Sequence, residues 1–153
     1  MKIALGSDHG GYNLKEYIKR YLKENNIEFE DFGTFSTESV DYPDFAEVVA
    51  KAVAEGRFDR GILCCGTGIG VAITANKIPG IRAALCTDCF AAKASREHND
   101  SNILCLGERV TGPGLALMIV DIWLKTEFEG GRHKRRVDKI SKIEEKYLKS
   151  KED

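Results

Sequence analysis

Short, mostly apolar runs alternate along the chain with longer stretches in which apolar positions recur at helical spacing. Residues 2–5, 61–64, 81–86 and 102–106, apolar apart from Lys2, Arg82 and Asn102, each read as a strand, the first two of them buried. Residues 27–32 alternate apolar and acidic side chains instead, which predicts a strand nearer the sheet edge. Between them, Leu14, Tyr17, Ile18, Tyr21 and Leu22 form one stripe of a helix whose other face carries lysines. After a polar connection over 33–40, Asp41-Tyr42-Pro43 is a helix start with proline in the first turn; the helix runs over 45–53 and closes near Gly56. Further helices are predicted over 71–77 and 90–97, the first followed by a clear break at Pro79-Gly80.

Pro113 opens a helix whose body, 115–124, is apolar nearly all round with one carboxylate, Asp121. A helix of that kind is buried on more than one side, so an oligomer contact is its natural cover. Gly130-Gly131 ends it, and a last, strongly charged helix spans 132–149 with Val137, Ile140, Ile143, Tyr147 and Leu148 as its apolar positions. Strands alternating with helices in this way predict an α/β fold of βαβ units around a five-stranded parallel sheet. With no repeat, low-complexity segment or linker, residues 1–153 are expected to form one domain. Ligands in such sheets bind beyond the carboxyl ends of the strands. That rule gathers Asp8 and His9, Cys65 to Gly70, Asp88 and Arg109.

Composition narrows the function classes. The chain of 153 residues is 42% hydrophobic and 31% charged, which indicates neither disorder nor a membrane span. A formal net charge of −1 argues against nucleic acid as the main partner. Five cysteines, an odd number with no secretory segment, suit a reducing cytoplasm. The apolar run at the start, 1–5, is too short for a signal peptide.

Chemistry is expected where the strand 61–64 delivers Cys65 into Gly66-Thr67-Gly68-Ile69-Gly70 and then a helix. Unpaired N–H groups at such a helix start attract an anion or a developing oxyanion, and the dipole favours the thiolate, making Cys65 a base or nucleophile. Cys64, Cys86 and Cys105 read as core filler. Asp8-His9, beside Gly10-Gly11, places two titratable groups on a strand-end loop. His98 sits at a helix C-terminus, which favours its protonated form and suits a general acid. Arg132 and Arg136, four apart on one helix face, can grip a phosphate if the segment reaches a site, its own or a partner subunit's.

Two other motifs compete. Gly66-x-Gly68-x-Gly70 lacks the third glycine of the dinucleotide fingerprint, which falls at Val71, yet Asp88 lies 20 residues beyond Gly68 and keeps a nucleotide-binding module open. No Lys-Ser or Lys-Thr follows the glycines, which excludes the phosphate loop of nucleotide hydrolases. Cys86-Thr-Asp-Cys89 has the spacing of a redox or zinc pair, although a structural zinc site needs two such pairs.

Taken in order, Gly6-Ser-Asp-His-Gly-Gly, Asp41-Tyr-Pro, Cys65-Gly-Thr-Gly-Ile-Gly, Ala75-Asn-Lys, Gly80-Ile-Arg-Ala, Arg96-Glu-His-Asn-Asp, Gly107-Glu-Arg and Glu129-Gly-Gly-Arg-His resemble the type B ribose-5-phosphate isomerases. That family also includes allose-6-phosphate and galactose-6-phosphate isomerases. The resemblance implies a Rossmann-like three-layer α/β/α sandwich plus a C-terminal helix, and a homodimer or pair of dimers with sites at the subunit boundary. It implies interconversion of ribose 5-phosphate and ribulose 5-phosphate, a pentose phosphate pathway step, with no metal or cofactor; a six-carbon sugar phosphate is the alternative substrate. By the same resemblance Cys65 is the base between C1 and C2, and the amides of Gly66 to Gly70, Ile69 included, stabilise the enediolate. His98, with Asp8 nearby, opens the furanose ring; Asn99 binds sugar hydroxyls, and Tyr42 and Thr67 line the site. His9, Arg109, Arg132 and Arg136 hold the phosphate, some of them across the dimer. Some members of the family use a carboxylate elsewhere as base, and the Cys65-Gly66 pair groups this chain with the thiol users.

Overall fold

The computed structural model describes residues 1–150. Five strands, β1 (Lys2–Ser7), β2 (Glu28–Asp31), β3 (Arg60–Cys65), β4 (Ala83–Leu85) and β5 (Ile103–Gly107), form one sheet in the order β2-β1-β3-β5-β4. All neighbours are parallel. Six helices connect and flank them: α1 (Tyr12–Glu24), α2 (Tyr42–Ala54), α3 (Ile69–Ala75), α4 (Cys89–Glu97), α5 (Pro113–Lys125) and α6 (Arg132–Lys149).

Strand side chains alternate between two cores because successive Cβ atoms point to opposite faces. Ile3, Leu5, Ile62, Cys64, Leu104 and Leu106 pack with α1, α5 and Ala92 of α4. Ala4, Leu63, Cys65, Ile103 and Cys105 pack on the other face with α2 and α3. The alternating segment 27–32 is indeed at a sheet edge. The run 81–86 gives only the three residues of β4, since the Asn102 side chain takes the Arg82 N–H at 2.8 Å and interrupts the regular ladder there.

Beside the edge strand β2, Lys15 of α1 is fully buried, pairs with Asp31 at 2.7 Å and also donates to the Thr34 carbonyl. Burial alone would raise the Asp31 carboxyl, but hydrogen bonds from Lys15, the Gly33 N–H and Lys19 outweigh it and hold the group below the usual carboxylate range.

Strand order reverses between β1 and β3, which places the crevice of an open α/β sheet at their carboxyl ends. α5 buries Ala116, Ile119, Val120, Trp123 and Leu124 while Met118 stays 58% exposed. On α6 only His133 and Val137 are buried, and Ile140, Ile143, Tyr147 and Leu148 face outward.

Candidate active site

β3 ends at Cys65, whose residue is 4% exposed and whose Sγ accepts the Gly68 N–H at 3.0 Å. Gly68 caps α3 with φ +79°, and a Cβ there would stand 2.6 Å from Leu85 Cδ1 and 2.9 Å from the Leu106 carbonyl carbon. Only glycine lets this loop fold back onto the sulfur. The thiols of Cys64, Cys86 and Cys105 are pushed up by burial, which leaves them as packing groups.

The loops after β1 and β5 close around this turn. Glu108 N–H donates to the Cys65 carbonyl at 2.9 Å and Arg109 N–H to that of Gly66 at 3.0 Å. The Arg109 guanidinium lies over Gly66, where an added Cβ would meet Nη1 at 3.1 Å, and the Tyr42 ring lies over Gly70, where one would meet it at 2.7 Å. Thr67 and Ile69 are exposed, and Thr67 Oγ1 accepts the Ile69 N–H at 3.2 Å. From β1, Asp8 accepts the Gly11 N–H at 3.1 Å, and a Cβ on Gly10 would lie 3.2 Å from the Gly66 nitrogen. His9 Nδ1 accepts the Val40 N–H at 3.1 Å, so its neutral ring carries the hydrogen on Nε2. Asp8, His9, Tyr42, Cys65 to Gly70 and Arg109 therefore gather at one end of the sheet.

Glu108, which the sequence did not single out, ties this end to α1 by accepting the Leu14 N–H at 2.7 Å. The partners are 94 residues apart, too far for any local pattern to reveal.

His98, Asn99, Arg132 and Arg136 lie elsewhere. His98 caps the C-terminus of α4, and helices returning to a parallel sheet end at its amino edge. There Gly61, at the start of β3, donates its N–H to the Asn102 carbonyl at 2.8 Å. A strand the length of β3 spans about 16 Å at some 3.3 Å per residue, so within one chain His98 is remote from Cys65 and Asp8. The expected Asp8–His98 proximity is thus not an intrachain contact; it requires a second copy.

The His98 turn is firmly braced. Arg96 is buried and donates to Asp100 at 2.9 Å, to Thr126 O at 3.1 Å and to Ser101 O at 2.6 Å. The His98 ring stacks on His133 with centroids 4.4 Å apart and planes 16° apart. His133 is buried, and desolvation, with repulsion from His98 and Arg132, holds it below the usual imidazole range. Arg132 and Arg136 are exposed on the first turns of α6. An open groove of about 430 Å³ between α6 and β4 has Asn99, Asn76 and Ile140 on its walls and no residue of the Cys65 loop.

The model of the Ribose/Galactose Isomerase family matches residues 3–140. The chain belongs to that ribose/galactose isomerase family. It is 52% identical over 145 residues to ribose-5-phosphate isomerase B of Escherichia coli, covering 95% of this chain and 97% of that one. The solved structure of Clostridium thermocellum ribose-5-phosphate isomerase B superposes with a TM-score of 0.95 at 64% identity, over 96% of this chain and 99% of that one. D-erythrulose-4-phosphate isomerase of Pectobacterium atrosepticum is 43% identical over 145 residues, 94% of this chain and 95% of that one.

Within this family setting the competing motifs have local structural uses. Asp88 caps α4 by accepting the Ala91 N–H at 2.7 Å, which commits the carboxylate that a nucleotide site would need. All five cysteines are free thiols, and Cys86 is buried while Cys89 is half-buried. No helix among the described residues is long and apolar enough to cross a membrane.

Proposed function

We propose that the chain is a cytosolic, single-domain aldose–ketose isomerase that interconverts D-ribose 5-phosphate and D-ribulose 5-phosphate through an enediolate, working as a homodimer. The observation that carries the reading is the Cys65 sulfur at the end of β3, held by the Gly68 N–H in the glycine-rich turn that opens α3, in a chain of this family. A thiolate accepts such a bond more strongly than a thiol, and the remaining amides face where charge grows on the sugar oxygen.

Two copies related by a two-fold axis bring the carboxyl end of one sheet to the amino end of the other. The exposed Ile140, Ile143, Tyr147 and Leu148 of α6 supply apolar surface for that contact. His98 of the second copy then gives a proton to the furanose ring oxygen while Asp8 of the first takes the proton of the anomeric hydroxyl, so the bond from C1 to the ring oxygen breaks and the C1 carbonyl forms. Cys65 removes the C2 proton, the electron pair moves into the C1 carbonyl, and the amides of Gly66, Thr67 and Gly70 hold the enediolate, those of Gly68 and Ile69 being taken by Cys65 Sγ and Thr67 Oγ1. The thiol returns the proton to C1 while a hydroxyl proton passes from O2 to O1. Tyr42 and Thr67 line the sugar, Asn99 binds its hydroxyls, and His9, Arg109, Arg132 and Arg136 hold the phosphate, which fixes the reacting carbon against the base.

The test is kcat/KM on four-, five- and six-carbon aldose phosphates with protein stripped by a chelator. Ribose 5-phosphate should be the best substrate, with full activity in the absence of added metal. A higher value for a four- or six-carbon sugar would move the substrate assignment, and no activity on any of them would overturn the reading.

A further inference from the structure

At the amino end of the sheet, the buried His133 Nε2 has no hydrogen-bond partner. Buried polar atoms in folded proteins are almost always paired, so an orphan of this kind asks what it serves. Glu129 Oε2 stands 3.4 Å from it, and the His98 ring stacks on the His133 ring. One donor atom from each of His98, Glu129 and His133 falls within 4.8 Å of the other two. Backbone ties set this spacing: Glu129 N–H donates to the Glu97 carbonyl at 3.1 Å, next to His98, and His133 N–H to that of Gly130 at 3.0 Å.

We infer that His98, Glu129 and His133 form a site for a divalent transition ion of the zinc class, and that its occupancy withdraws His98 from the reaction. Two imidazoles and a carboxylate are a zinc donor set, and three protein ligands leave a fourth position for water. Nitrogen donors select such an ion over magnesium or calcium. Tetrahedral bonds of about 2.0–2.1 Å place donor atoms about 3.3 Å apart, so the set has to contract by at most about 1.5 Å. The side chains that move are the accessible ones, His98 at 42% and Glu129 at 49% exposure, while His133 at 7% is the fixed anchor. Arg132 and Arg136, on the first turns of α6, oppose a cation here and limit the affinity.

Loss of activity through His98 rests on the isomerase reading; metal binding itself does not. The experiment titrates the chelator-stripped full-length protein with Co²⁺, followed by its visible d–d band, and then with Zn²⁺ as competitor. One Co²⁺ per chain with a four-coordinate spectrum, displaced by Zn²⁺, is expected. Removing a ligand should weaken binding on the order of 100-fold in His133→Ala. Should that variant fail to fold, Glu129→Gln, at an exposed position, makes the same test. No tetrahedral Co²⁺ signal, or a cobalt–thiolate band that survives both variants, would overturn the site. Zn²⁺ should lower kcat/KM of the native protein and do so less in Glu129→Gln; full activity with the site filled would overturn the inhibitory role. A stripped protein inactive on every sugar phosphate would strike the isomerase reading and leave the cobalt result standing.

Discussion

Replacing Gly68 by alanine tests the turn that holds the Cys65 sulfur. Its φ of +79° costs an L side chain about 1–2 kcal/mol. The new Cβ would also stand 2.9 Å from the Leu106 carbonyl carbon and 3.1 Å from the Gly107 nitrogen, backbone atoms that cannot turn aside. Overpacking of that kind adds about 1–3 kcal/mol. Gly56→Ala is the control, because its φ is +75° and nothing lies within 4 Å of its added Cβ, so it carries the strain alone. Urea unfolding at one fixed protein concentration should therefore put the Gly68→Ala midpoint lower than that of Gly56→Ala, by on the order of 1 M. On the proposed mechanism, shifting the Gly68 N–H off the sulfur removes a hydrogen bond to the reacting thiolate, which lowers kcat about 10- to 100-fold. Equal midpoints for the two variants, or native kcat in Gly68→Ala, would refute this account of the turn.

Cys65→Ala should fold with a native circular dichroism spectrum yet lose about 10²- to 10⁴-fold in kcat, the worth of a positioned base; near-native turnover would remove Cys65 from the mechanism. The Asp31 carboxyl is held below its unfolded value, so it adds stability above the ordinary carboxylate range that is lost as pH falls through the folded value. Acid titration of stability below about pH 4 should accordingly be shallower in Asp31→Asn than in the native protein, and parallel curves would contradict the Lys15–Asp31 assignment.

The order of strands and helices is legible in the sequence because each strand is a mostly apolar or alternating run and each helix has a stripe or a terminal signal. The carboxyl-end rule also gathers Asp8, His9, Cys65 to Gly70 and Arg109, which do meet in the fold, and Asp88, which caps α4. His98 is harder, since its motif says nothing of which end of the sheet it occupies. The clue is its place after a helix rather than a strand, because in a parallel sheet helix ends lie opposite the ligand crevice. Glu129 and His133 were also readable only in part: four apart, they flank the Gly130-Gly131 break, but nothing local places them against His98. Exposure of the apolar side of α6 follows from no periodicity, as a stripe that packs on its own core and one that packs on a second copy look alike in sequence.

The shared site is tested most directly by a hybrid dimer. Co-expression of Cys65→Ala and His98→Asn chains with different tags, followed by purification on both, yields dimers in which one site keeps Cys65 and His98 and the other loses both. If the two residues meet across subunits, the hybrid regains about half of native activity while each parent dimer stays nearly inactive. A hybrid as inactive as its parents would contradict the shared site.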